Sequence, residues 1–260
     1  MPDRTAAIVP VSRARDRGEV FYGVRTMALS GGHDEGGVLE RRFEAAADGG
    51  RVPGLLWSPS GRPKPTATVL IGHGRTSHKR NPYALALARR FAACGWNAVA
   101  IDAPGHGDHR AADAEPGWPR PDPDETARDW RAALGLLREA ADVDDARLAY
   151  WGMSMGASLG ISLIAGDPRF QAAVLGLMHA NWPAPPGARI RADAARVECP
   201  VLFMVNWDDT RAPREQAFEL YELIGSDDKR LHAYPGEHGQ LPEEARVASE
   251  EFLARYLAQG

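Results

Sequence analysis

The chain has 260 residues, 44% of them hydrophobic and 25% charged, and a formal net charge of −4. This length suits one large α/β domain or two small ones, and the balance is that of a soluble globular protein. Arginines are interleaved with acids and form no long basic block, which argues against nucleic-acid binding. No stretch reaches the roughly 18 to 20 apolar residues that span a bilayer.

The first 37 residues form an N-terminal extension, ahead of a single domain from residue 38 to 260. Met1-Pro-Asp-Arg-Thr5 lacks the basic region, apolar core and cleavage site of a secretory signal, so a cytoplasmic location is expected. Within the extension, Val20–Met27 has the composition of a strand and Gly31–Gly37 that of a flexible turn. The segment is expected to drape over the domain or to support an oligomer contact, with a homodimer as the form to test.

Val38–Ala46 and Arg51–Ser58 predict an antiparallel hairpin around Asp48-Gly-Gly50. After a proline-rich turn, Ala67–Ile71 is short and nearly all apolar, as in a strand buried on both faces of a parallel sheet. Strands follow at Asn97–Asp102, Leu148–Trp151, Ala172–Leu177, Val201–Val205 and Leu231–Tyr234. Helices are expected at Pro82–Cys94, Asp124–Ala140, Met155–Ala165, Gln216–Ile224 and Glu243–Leu257. This alternation predicts an α/β fold with a mostly parallel central sheet, antiparallel strands at its amino-terminal edge and helices on both faces. Pro104–Pro123 has no periodicity and starts at a strand's carboxyl end, where open α/β sheets bind ligands. Leu177–Pro200 is too short for a separate lid domain, so loops are expected to roof the site.

Gly152-Met-Ser-Met-Gly156 lies between a strand and a helix, the setting that lifts a serine hydroxyl to the top of a sheet. Ser154 is therefore the expected nucleophile. A serine needs an imidazole to take its proton and a carboxylate to fix the imidazole's tautomer. Both occur later, beyond strand ends, in Asp208-Asp209 and in Glu237-His238-Gly239. His238 is the expected base, and spacing to Pro213 favours Asp209 over Asp208 as the acid. The developing oxyanion needs two donors. The amide of Met155 is one; the amide of Arg75, after Gly72-His-Gly74, is the other, with His73 bracing that turn. Trp118, Met178, Trp182 and Trp207 lie near strand ends and are expected to wall a substrate pocket.

No HExxH, cysteine pair or dinucleotide fingerprint is present, so no metal and no cofactor are expected. Cys94 and Cys199 read as buried free thiols.

With Gly72-His-Gly74, Asp102-Ala-Pro-Gly-His-Gly107, Gly152-Met-Ser-Met-Gly156, Asp208-Asp209 and Glu237-His238-Gly239 in this order, the chain resembles the α/β-hydrolase superfamily. Within it, the chain is similar to dienelactone-hydrolase-like and feruloyl/cinnamoyl-esterase-like serine esterases. The resemblance covers about residues 38 to 258 and implies Ser154, His238 and Asp209 as triad, Met155 and Arg75 as oxyanion donors, and no cofactor. Two departures stand out. Dienelactone hydrolase itself looks like a cysteine enzyme at the position of Ser154, and many relatives carry a bulky apolar residue where Arg75 stands. The implied partner is a small to medium carboxylic ester, cleaved through an acyl-enzyme. A thioesterase or a serine peptidase or amidase using the same triad is the alternative, and a noncatalytic binding scaffold is a third reading.

Overall fold

Val69, Leu70 and Ile71 are all fully buried, yet they belong to two different cores. Successive strand residues point to opposite faces, so a strand buried on both sides must be apolar throughout. This strand, β4 (Thr66–Gly72), lies near the middle of a nine-stranded sheet. The computed structural model describes residues 30, 32–48, 50–62, 65–111, 117–140, 142–181 and 187–258. The reading of Val20–Met27 as a strand lies outside them.

The other strands are β1 (His33–Glu35), β2 (Val38–Ala47), β3 (Gly50–Pro59), β5 (Asn97–Ile101), β6 (Val143–Met153), β7 (Phe170–Gly176), β8 (Val201–Asn206) and β9 (Lys229–Tyr234). Their order is β1-β2-β3-β5-β4-β6-β7-β8-β9. Strands β1 to β3 pair antiparallel, β3 joins β5 antiparallel, and every pair from β5 to β9 is parallel. The amino-terminal antiparallel edge and parallel centre are as expected. Strand β1 was not expected: it falls in the stretch read as a turn and pairs His33 with Glu40.

Among the described residues, six α-helices cover the sheet: α1 (Pro82–Ala93), α2 (Pro123–Glu139), α3 (Met155–Ile164), α4 (Gly187–Ala194), α5 (Arg214–Leu223) and α6 (Glu243–Leu257). Asn81 and Asp122 cap α1 and α2 through side chains that accept from Tyr83 N and Glu125 N, each followed by proline at the first helical position. Leu87, Phe91, Phe252 and Leu253 of α1 and α6 pack on Val69, Trp151 and Met204. On the other face, Trp130, Leu134, Ile161, Ile190 and Leu220 of the remaining helices pack on Leu70, Tyr150 and Phe203. Among the described residues no large domain is inserted. Between β7 and β8 there is α4, a two-turn helix the sequence reading did not include.

Candidate active site

The turn at Ser154 is set by what its neighbours lack. Ser154 has φ 57 and ψ −122, a conformation L-residues rarely adopt and one that stores about 1–3 kcal/mol of strain. A side chain on Gly152 would meet the backbone of Gly156 at 2.7 Å, and one on Gly156 would run into the Gly72 carbonyl. The two glycines thus let β6, β4 and the first turn of α3 approach closely, and the Ser154 amide anchors the turn on Gly176 O at 2.9 Å.

His238 enters from the loop after β9, between Gly236 (φ 117) and Gly239 (φ 83). The loop is tied to the end of β8 by Asn206 Nδ2, which donates to Glu237 O at 2.7 Å. His238 Nε2 lies 2.9 Å from Ser154 Oγ, and His238 Nδ1 lies 2.8 Å from Asp209 Oδ2. The other oxygen of Asp209 accepts the amides of Arg211 (2.8 Å) and Ala212 (2.9 Å). Burial alone would raise the Asp209 carboxyl. The hydrogen bond from His238, the two amides and the nearby imidazole outweigh burial and hold it below the usual carboxylate range. Asp208 points away, with Oδ2 accepting from Gly236 N at 3.3 Å.

Met155 N–H opens α3, where the helix itself offers no acceptor. The Arg75 amide likewise has no acceptor among the described residues, whereas the preceding amide, of Gly74, donates to Tyr83 Oη at 2.8 Å. His73 is buried and bonded at both nitrogens. Nε2 accepts from Ala103 N at 3.0 Å, so Nδ1 carries the proton and donates to Gly74 O at 2.9 Å. Burial holds His73 neutral, lowering its pKa to about 4. His106 donates from Nε2 to Arg75 O at 2.7 Å. The His73 and His106 imidazoles thus tie the loops after β4 and β5 together.

A cavity of about 830 Å³ opens over Ser154. Trp118 lines it, held by the Arg75 guanidinium, whose Nε and Nη2 donate to Trp118 O at 3.2 and 3.1 Å, and by the His106 ring 5.6 Å away. Two expected wall residues do not. Met178 is fully buried in the core, whereas its neighbour Leu177 (φ 51°) borders the cavity. Trp207 is half exposed outside it, its ring stacked against the Arg214 guanidinium at 4.6 Å. Trp182 lies outside the described residues. Tyr83, His179, Arg120 and Arg211 line the cavity and were not singled out from sequence; only Tyr83 had a signal, its place one residue inside a capped helix beneath the Gly-His-Gly turn.

A solved structure of a cold-adapted esterase from an Arctic intertidal metagenomic library matches with a TM-score of 0.78 and 32% identity, over 89% of this chain and 100% of that one. The chain belongs to the serine-esterase branch of the α/β-hydrolase superfamily. Residues 63–177 of this hydrolase also match the family described as serine aminopeptidase, S33. An acetyl xylan esterase from Paenibacillus sp. R4 shares the fold, with a TM-score of 0.72 at 20% identity over 90% of each chain. A Mycobacterium tuberculosis protein is 30% identical over 152 residues, so the hydrolase spans about half the length of the curated relatives it matches (52% of each sequence). No helix among the described residues is long and apolar enough to cross a membrane.

Proposed function

We propose that this α/β-hydrolase is a serine carboxylesterase acting on small to medium esters. The observation that carries the reading is the unbroken hydrogen-bonded path Ser154–His238–Asp209, ending at a cavity with an apolar floor. Ser154 Oγ attacks the ester carbonyl while His238 Nε2 takes its proton, and Asp209 stabilises the imidazolium and keeps Nδ1 protonated. The tetrahedral oxyanion is held by the amides of Met155 and Arg75; one such donor contributes about 3–4 kcal/mol to the barrier reduction in comparable sites. His238 then protonates the departing alkoxide, and a water deprotonated by His238 releases the acid from Ser154.

The relationship to serine aminopeptidases raises a second reading, which the cavity disfavours. An aminopeptidase must neutralise a substrate's α-ammonium, and no Asp or Glu lines the cavity among the described residues. The test is kcat/KM on an aryl butanoate, the matching thioester and an aminoacyl anilide. The ester is expected to lead the anilide by at least a hundredfold; a dominant anilide would make the enzyme a peptidase. We also propose a cytoplasmic setting, supported by the unpaired thiols Cys94 and Cys199, whose pKa values burial raises to about 11 and about 12.

A further inference from the structure

The cavity is lined by Arg75, Arg120, Arg211 and Arg246 and, among the described residues, by no carboxylate, in a chain whose net charge is −4. Two of these guanidinium groups are engaged: Arg75 on the Trp118 carbonyl and Arg246 on Glu243 at 3.1 Å. Arg120 and Arg211 have no carboxylate partner among the described residues and are exposed to the cavity. Arg120 comes from the loop between β5 and α2, and Arg211 from the turn after β8. In the strand order, β6, which presents Ser154, lies between those two strands. The nucleophile is thus flanked on both sides by positive charge that no carboxylate of the described residues matches, above an apolar floor.

A neutral ester makes no use of this arrangement. A cleft of one sign with low-dielectric walls focuses its field, and guanidinium binds carboxylate through paired, charge-assisted hydrogen bonds. We infer that the substrate is an ester bearing a free carboxylate, such as a hemiester of a dicarboxylic acid, held by Arg120 or Arg211. The inference rests on the acyl-transfer reading of Ser154. The reaction adds one water: the Ser154 Oγ–acyl bond forms as the ester C–O bond breaks, the alcohol leaves with the proton from His238, and hydrolysis of the acyl-enzyme gives the second carboxylate.

The test compares charge at constant shape, with spontaneous hydrolysis subtracted. One pair is 4-nitrophenyl hemiglutarate and its terminal carboxamide, with the charge on the acyl side. The other is 4-carboxyphenyl and 4-carbamoylphenyl butanoate, with the charge on the alcohol side. The anionic member of at least one pair is expected to lead by tenfold or more in kcat/KM. That ratio is expected to fall below threefold when Arg120→Gln and Arg211→Gln are combined, and to be partly kept by lysine at both sites. Because the ratio is taken within one protein, a loss of folded enzyme does not move it. Equal rates in both pairs, or a preference that survives the double replacement, overturn the inference. If neither pair is turned over, the catalytic reading fails. NMR titration of Ser154→Ala with monoethyl glutarate and its carboxamide then decides the carboxylate reading: tenfold tighter binding of the anion supports it, and equal binding overturns it.

Discussion

His73 donates from Nδ1 to the carbonyl oxygen of Gly74, and that carbonyl shares a peptide unit with the Arg75 amide. In a trans peptide the two groups point in opposite directions, so holding the carbonyl on one side aims the N–H to the other. Under the proposed mechanism His73 is therefore a positioning residue for the oxyanion donor, acting through that peptide. Replacing it with Gln is predicted to lower kcat about 10- to 100-fold with little change in KM, since the donor matters more to the transition state than to bound substrate. A change in KM alone would contradict the assignment.

The same histidine gives a pH signature. Its folded pKa of about 4 lies below its ordinary value of 6.5, so the unfolded chain takes up a proton in this window while the folded one does not. Its contribution therefore makes stability fall as pH drops from about 6.5 to about 4, by about 3 kcal/mol in all. Urea unfolding across that range is expected to show a shallower slope in His73→Gln than in the parent protein.

Asp209 and Asp208 are adjacent, but only the former touches the imidazole. Asp209→Asn is predicted to reduce kcat by about 10³- to 10⁴-fold by allowing the wrong tautomer, and Asp208→Asn by less than about threefold. Steady-state kinetics of the two variants on one aryl ester separate them, and equal losses would refute the assignment.

Gly156 leaves no room for a methyl group against the Gly72 carbonyl. Gly156→Ala is expected to cost about 1–3 kcal/mol in denaturant unfolding, and to reduce turnover because Ser154 shifts with the start of α3. The buried pair of Lys79 and Asp102, 2.5 Å apart, makes a separate stability prediction. Asp102 is fully inaccessible, and it also accepts the amides of Lys79 and Asp108. Lys79→Met strands that charge and is predicted to cost about 3–5 kcal/mol, read as a lowered urea midpoint.

The elements that carry the chemistry were legible because their local chemistry admits few alternatives. Glycines on both sides of Ser154, apolar β4 and the late His238 turn each point to one arrangement, whereas the Asp208-Asp209 turn leaves two adjacent acids to choose between. Strand β1 was not legible: its three residues, His33, Asp34 and Glu35, are polar and exposed, and only pairing with β2 makes them a strand. The first half of β6, Val143–Arg147, and helix α4 carry too many charges to show a period. Pocket walls were the least legible, since nearness to a strand end does not say which way a side chain turns. Leu177 and Met178 are neighbours and both nearly inaccessible, yet only Leu177 borders the cavity.

The Arg75 side chain holds the Trp118 loop, while the proposed mechanism assigns its backbone amide to the oxyanion. Arg75→Ala keeps the amide and releases the loop, so KM for aryl esters is predicted to rise about tenfold, with a smaller change in kcat. Trp118 fluorescence should report the released loop, and an unchanged KM would remove the clamp from the account.

The most direct measurement treats the folded protein with a fluorophosphonate and maps the adduct by peptide mass spectrometry, with Ser154→Ala and His238→Ala beside it. The account predicts one adduct, on Ser154, absent from the first variant and at least a hundredfold slower to form in the second. An adduct on another residue, or equal labelling without His238, would contradict an imidazole-activated Ser154.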